Sequence, residues 1–315
     1  MDALVIGAGG FVGKYLLRQL LEEGADPGAT RLPGERIAMD GVEEFDLDLS
    51  SQSAVRSLLA MHRPAHIYHL AAQSSVSVSW KKPEETIDVN IKGTLHLLEA
   101  VRSIEDYYPR ILLVGSGEEY GYLRPGACPI AETEALHPGN IYAVTKACAN
   151  MLGSVYARAY GMAIIMVRAF NHIGAGQSPT FVAGDFALQI AEIEAGCRPP
   201  VMQVGNLSAK RDFSDVRDVV RAYTMLMRHG IAGETYNVGS GHAVAVQELL
   251  DILLSLSRES IVVEQDPSRL RPSDVPVIEA DTAKLRKDTG WEPIYPLEET
   301  LYTMLDHNRR SFGIQ

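Results

Sequence analysis

Two periodicities alternate through the first half of the chain. Leu4-Val5-Ile6 is a continuous apolar run of strand length. Behind it Leu16, Leu17, Leu20 and Leu21 recur at helical spacing, which predicts a buried strand, a glycine turn and a helix from about Gly13 to Glu23. His66 to Leu70 and Ile111 to Val114 read as further strands. Between them Pro83 opens a long helix through Ile87, Ile91, Leu95, Leu98 and Val101, with proline in the first turn, where its missing N–H is not needed. Pro138 opens another helix, from about Tyr142 to Tyr160, and Ile164 to Val167 is the next strand. Residues 24–36 are rich in Gly, Pro and Arg and contain no clear β run. This rhythm predicts an α/β fold, a Rossmann-type doubly wound parallel sheet.

The rhythm changes after residue 170. Stretches rich in Pro and Gly (174–179, 198–200, 266–276) interrupt short elements, while a helix from Val216 to Met227 and a strand from Thr235 to Val238 return to the sheet. The expected division is residues 1–170 plus 214–240 in the parallel-sheet domain. Residues 171–213 plus 241–315 form a smaller, discontinuous C-terminal α/β domain.

Composition narrows the classes. The 315 residues, 46% hydrophobic, can bury a core without staples. A net charge of −11 argues against sequence-independent nucleic-acid binding, although a local basic pocket remains compatible with it. Cys128, Cys148 and Cys197 are odd in number and never spaced CxxC, so neither a disulfide scaffold nor a cysteine-rich metal site is expected. His62, His66 and His69 are separated by Pro64 or lie on opposite strand faces, so no metal is assigned to them. Met1 to Ile6 runs straight into a strand, and apolar runs such as 163–167 are too short for a bilayer. A cytoplasmic protein without membrane contact is expected.

Gly7, Gly10 and Gly13, with Phe11 and Val12 among them, lie between a strand and a helix. Glycines there allow a tight turn and close approach to a pyrophosphate, which the helix N-terminus then faces. In this context the pattern indicates a dinucleotide. The choice of nicotinamide depends on the acid or arginine that follows. Asp26 competes with Arg31 and Arg36 for that place, and the basic-leaning loop favours NADP, with NAD as the alternative.

Tyr142 and Lys146 stand at i and i+4 on one helix face. An ammonium beside a phenol favours the phenolate and brings its pKa toward working pH. Ser116, just beyond the strand ending at Val114, offers a hydroxyl to the same substrate oxygen. The three together fit proton transfer coupled to hydride transfer. A purely regulatory dinucleotide binder would have no need of them.

With these residues the chain resembles the extended short-chain dehydrogenase/reductase family, whose members act on nucleotide sugars. The resemblance covers essentially the whole length. It includes the glycines, Asp48-Leu49, His69-Leu70-Ala71-Ala72, the Ser116/Tyr142/Lys146 set and the run from Arg168 to Gly174, which looks like a substrate-facing strand end. The stretches 170–177, 205–213 and 270–275 look like the branch that handles GDP-6-deoxyhexoses. Carried over, this implies that Asp48 and Leu49 border the adenine and that Leu70, Ala71 and Ala72 line the cofactor cleft. Asn171, Arg211 and Arg271 would face the substrate diphosphate, with Asp274 near a ribose hydroxyl. Ile141 stands where relatives usually have proline, and Asp274 where glutamate is usual.

Within that branch a 4,6-dehydratase needs an extra acid/base directly after the serine. Here the run is Ser116-Gly117-Glu118-Glu119-Tyr120, so Glu118 keeps that possibility open. Dehydratases of the family also insert an arm after the first helix, and the short segment 24–36 has no room for one. The resemblance therefore implies reduction of a GDP-4-keto-6-deoxyhexose, with dehydration of GDP-mannose, or a related epimerase or ketoreductase, as alternatives. A homodimer through the helices at 83–103 and 142–160 is implied as well. Cys148, Trp80 and Trp291 are expected to pack, and Asp215 and Asp218 to cap a helix.

Overall fold

The computed structural model describes residues 1–124, 126–269 and 275–314. Its elements run β1 (Ala3–Ile6), α1 (Phe11–Glu22), β2 (Pro27–Arg31), β3 (Glu43–Asp46), α2 (Gln52–His62) and β4 (His66–His69). Next come α3 (Val76–Lys81), α4 (Pro83–Ile87), α5 (Gly93–Ser103), β5 (Arg110–Ser116), α6 (Ile141–Tyr160), β6 (Ile164–Ala169) and β7 (Asn171–Ile173). The rest comprises α7 (Val182–Glu194), β8 (Val201–Val204), β9 (Lys210–Asp215), α8 (Val216–His229), β10 (Thr235–Val238), β11 (Ala243–Ala245) and α9 (Val246–Leu256). It ends with β12 (Val262–Gln265), β13 (Val277–Ile278), α10 (Ala283–Thr289) and α11 (Leu297–Ser311).

Among the described residues the main sheet has seven parallel strands in the order β10-β6-β5-β4-β1-β2-β3. The chain winds outward both ways from β1, which pairs with β2 on one side and β4 on the other. A crevice therefore opens beyond the carboxyl ends of β1 and β4, where such sheets bind ligands. Leu16, Leu17, Leu20, Val219, Tyr223 and Trp291 fill one face of the sheet. Val55, Leu59, Leu97, Leu98 and Tyr156 fill the other. Each such side chain, fully buried, stabilises the fold by roughly 1.5–3 kcal/mol. A further cluster joins α7, α9 and α11 through Phe186, Ile190, Leu249, Leu253 and Leu305. Beside it β9 pairs with β7, β11 and β13. Among the described residues no helix is long and apolar enough to cross a membrane.

Four details depart from the sequence reading. A strand, β2, does run through 27–31, buried along Pro27-Gly28-Ala29-Thr30. Its small residues answer a packing demand: a Cβ on Gly28 would sit 2.7 Å from the sulfur of Met1 and 3.1 Å from the Phe45 ring. Helix α6 spans the stretch expected, but Asn140 and not Pro138 opens it, its side-chain oxygen accepting the Ala143 N–H at 2.8 Å. The helix opened by Pro83 passes through a π turn at Asp88–Lys92. Trp80 is 61% exposed rather than packed, whereas Trp291 is buried and donates its indole N–H to the Asp218 carbonyl at 3.0 Å. Asp215 caps α8. Asp218 does more, accepting the backbone N–H groups of Ile294 and Tyr295 at 3.0–3.1 Å and so fastening the segment before α11.

Candidate active site

The crevice widens into a cavity of about 950 Å³. Its walls bring together Gly7, Gly10, Phe11, Val12, Gly13, Arg31, Asp48, Leu49, Leu70, Ala71 and Ala72 at one end. Ser116, Glu118, Tyr142 and Lys146 stand at the centre, and Asn171 and Arg211 beyond them. Arg271 and Asp274 lie outside the described residues.

The glycine turn is a cradle that side chains would fill. Gly7 has φ +85°, and a Cβ on it would meet the Ala71 backbone at 2.6 Å. On Gly13 a Cβ would come within 2.4 Å of the Ala8 carbonyl oxygen, so only glycine lets α1 start this close to the turn. Thr30 accepts the Gly7 N–H at 3.2 Å and pins the turn to β2. A bare turn ahead of a helix N-terminus fits a dinucleotide pyrophosphate. Asp26 is the wrong acid for the ribose: it lies before β2, 70% exposed, paired with the amino terminus at 2.8 Å. Strand β2 ends instead in Thr30 and Arg31, both on the cavity. Arg31 is held there by Glu44 at 2.7 Å and by Asp46.

Ser116 ends β5, and Tyr142 and Lys146 face it from the first turns of α6. The Ser116 hydroxyl and the Tyr142 phenol both stand on the cavity wall. Lys146 is buried and donates to the Val114 carbonyl at 2.7 Å, tying α6 to the strand that carries Ser116. Burial lowers the Lys146 ammonium to about 8, while the negative charge of Glu119 opposes the fall. Burial pushes Tyr142 well above its usual range, against a lowering influence of the neighbouring Ser116, and Glu118 and Glu119 push the same way. Desolvation is the largest influence on this phenol and favours its protonated form.

Glu118 is half-buried on the cavity wall, and its carboxylate accepts from Asn140, the α6 cap, at 3.1 Å. The adjacent Glu119 points the other way, fully buried, toward Arg168 at 3.1 Å. Arg168 therefore does not face a substrate, contrary to the reading of its strand end; Ala169 to Ile173 do line the cavity. Arg211, half-buried on β9, donates to the Val275 carbonyl at 2.7 Å. Next to it Asp212 is buried and accepts from Ser240, Gly241 and Ala280, which binds the loops behind Arg211 together.

Asn90 escaped sequence reasoning. It sits in the π turn, accepts the Gln73 N–H at 2.8 Å and donates to Thr145 at 2.9 Å, joining the cavity loop after β4 to α6. The apolar pattern hides such a turn, because helical spacing continues on both sides of it.

A family model for GDP-mannose 4,6 dehydratase matches residues 4–304. The chain is 33% identical to GDP-6-deoxy-D-mannose reductase of Pseudomonas aeruginosa, over 96% of this chain and 95% of that one. It is 30% identical to GDP-mannose 4,6 dehydratase 1 of Arabidopsis thaliana, over 97% and 89% respectively. Among solved structures, RMD from P. aeruginosa complexed with NADPH superposes with a TM-score of 0.88 at 31% identity, covering 99% of this chain and 100% of that one. With its glycine cradle, its Ser-Tyr-Lys set and these relatives, the chain belongs to the GDP-mannose 4,6-dehydratase family of extended short-chain dehydrogenase/reductases, and is an NAD(P)-dependent enzyme.

Proposed function

We propose that this enzyme reduces the 4-keto group of GDP-4-keto-6-deoxy-D-mannose to give GDP-D-rhamnose. One observation carries the reading: a buried phenol, a serine hydroxyl and a buried lysine brought together on the wall of one cavity with a dinucleotide cradle at one end. Reduction of a ketone needs a proton donor at the carbonyl oxygen, and Tyr142 is in the donor state. Ser116 holds that oxygen, and Lys146 holds the nicotinamide ribose. The bound nicotinamide supplies the hydride for C4. Arg211 and Asn171 take the diphosphate, whose oxygens match the guanidinium fork. By the family resemblance Arg271 and Asp274 join them.

The end-to-end match to the P. aeruginosa reductase favours this over dehydration. So does the connection from α1 to β2, which is only Glu23 to Asp26 and carries no inserted arm. Dehydration of GDP-mannose stays the second reading because Glu118 lies on the cavity wall. NADP is the favoured cofactor and NAD the alternative, since no carboxylate ends β2 and Arg31 reaches the cavity. In this division of labour 1–170 plus 214–240 hold the cofactor, and 171–213 plus 241–315 the sugar nucleotide. The segment at Leu285 and Trp291 nevertheless packs with the cofactor part. Ile87, Val144, Met151 and Val155 leave apolar surface exposed on α4 and α6, and a second copy of the chain is the partner proposed for it. Sedimentation at the mass of a single chain would refute that. The free thiols of Cys128, Cys148 and Cys197 suit a reducing cytoplasm.

The test is a mass spectrum of GDP-4-keto-6-deoxymannose after incubation with enzyme and NADPH. A gain of two hydrogens is expected, with Tyr142→Phe slower by roughly 10²–10⁴-fold at unchanged NADPH affinity. Unchanged substrate mass with NADPH bound would overturn the reading.

A further inference from the structure

Among the buried charged groups to which the proposed chemistry gives no task, Glu119 lies beside the reacting set. Glu119, fully buried, has one carboxylate oxygen accepting from the Ser116 backbone N–H and from Asn150, each at 2.8 Å. The other oxygen accepts from Asn150 at 3.0 Å and from Arg168 at 3.1 Å. Burial pushes the Glu119 carboxyl above its usual range, while Arg168 and the hydrogen bonds from Ser116 and Asn150 oppose that rise; every contact is a donor aimed at an oxygen, so the ionised carboxylate is the form that fits. The opening is kept by Gly115, where a Cβ would lie 2.1 Å from the Glu119 oxygen and 2.2 Å from the Asn150 nitrogen. Arg168 is fixed in turn by the Tyr120 hydroxyl at 2.9 Å and the Glu132 carbonyl at 3.1 Å.

The location gives this carboxylate its consequence. Asn150 follows Lys146 by one turn of α6, and Ser116 follows Val114 on β5. Helix and strand are thus stitched twice, by Lys146 to Val114 and by Asn150 through Glu119 to Ser116. The titratable and charged groups around Lys146 are Tyr142 on its own helix, Glu119 beyond β5, Arg168 on β6 behind Glu119, and His69 on β4. Burial, aided by the Lys146 charge, holds His69 down at about 3, so it is neutral.

We propose that Glu119 is a positioning residue: its buried carboxylate sets Ser116 against Tyr142 and keeps a negative charge beneath Lys146 so that the lysine stays an ammonium. This rests on the reading of Ser116, Tyr142 and Lys146 as the reacting set. Lys146 carries its charge below about pH 8, so NADPH affinity and turnover both decline as pH rises through that value. Glu119→Gln removes the charge at nearly constant shape. The lysine then gives up its proton earlier, and both declines move down by about one pH unit.

The experiment measures NADPH affinity by fluorescence titration and the rate of keto-sugar reduction, each from pH 6 to 10, on wild type and E119Q, with thermal melts alongside. Downward movement of both midpoints in a folded variant is the expected result. Unmoved midpoints, with only a lower melting temperature or a lower rate, would overturn the proposal and leave Glu119 a structural residue. Should E119Q fail to fold, the double variant E119L/R168M removes the buried pair together, a replacement such pairs often tolerate, and its midpoints are read the same way. If wild type reduces no keto-sugar, the reductase reading fails, while the NADPH titration still decides for or against Glu119.

Discussion

The two ends of the cavity are built in opposite ways. The end proposed for the dinucleotide is centred on one local turn, Gly7 to Gly10 leading into α1, with Arg31, Asp48, Leu49 and Leu70 to Ala72 added at the ends of neighbouring parallel strands. The end proposed for the sugar nucleotide is assembled across long intervals. Asn171 on β7 lies opposite Phe213 on β9, and Arg211 on β9 lies opposite both Val244 on β11 and Ile278 on β13. A local turn is specified by a few residues and their φ values. A small sheet gathered from four segments depends on loop closures whose entropic cost grows with length and on cores formed elsewhere. The first kind of site leaves a motif, while the second leaves scattered residues that mean little until the chain is folded.

That contrast can be broken at either end. The largest effect is expected from Gly13→Ala, which puts a Cβ into the Ala8 backbone. A conflict with backbone cannot be relieved by a side-chain rotation, so α1 must move away from the turn, at a cost of roughly 1–3 kcal/mol. NADPH affinity should fall by about two orders of magnitude or be lost, read by fluorescence titration beside a thermal melt. Unaltered affinity would show that the turn does not hold the pyrophosphate. Next in size is Arg211→Ala. Losing a charge-assisted contact to a diphosphate is worth about 1.5–3 kcal/mol, so KM for the nucleotide sugar should rise roughly 10–100-fold. NADPH affinity should stay as it was. A loss of both together would mean that the two ends are not separable.

The same contrast explains what could be read in advance. The parallel sheet and its order of elements followed from periodicity, and the described residues expected to serve catalysis, the cofactor cleft and the diphosphate line one cavity, while Arg168, Asp26 and Arg36 do not. Strand β2 was hidden because Gly28 and Ala29 fill a place where Met1 and Phe45 leave no volume, and such a strand carries no apolar run. Asn90 was hidden by its π turn. Arg168 misled for another reason. Its motif position suggested a substrate contact, but a strand residue faces one side only, and at 168 that side meets Glu119. The tuning of Tyr142 was legible only in part. Spacing puts lysine and tyrosine on one face, while the depth of burial that lifts the phenol is a property of the whole fold.

The smallest expected effect falls where the two ends meet. Glu118 and Glu119 are neighbours in sequence with opposite environments, one on the cavity wall and one in the core. In a dehydratase Glu118 would remove the C5 proton, a task only a carboxylate in that place can perform. In a reductase it has no proton to move, and its contact with Asn140 at 3.1 Å serves the start of α6. Glu118→Gln keeps the shape and an oxygen to accept that hydrogen bond, but removes the base. Under the reductase reading, kcat with GDP-4-keto-6-deoxymannose should change by less than about threefold, the scale of a surface polar contact. Under the dehydratase reading, conversion of GDP-mannose would fall by roughly 10²–10⁴-fold, as for loss of a general base. Assaying wild type and variant on both substrates therefore separates the readings even if one substrate turns over slowly. A carboxylate that can be lost without consequence is a wall of the site, and one that cannot is part of its chemistry.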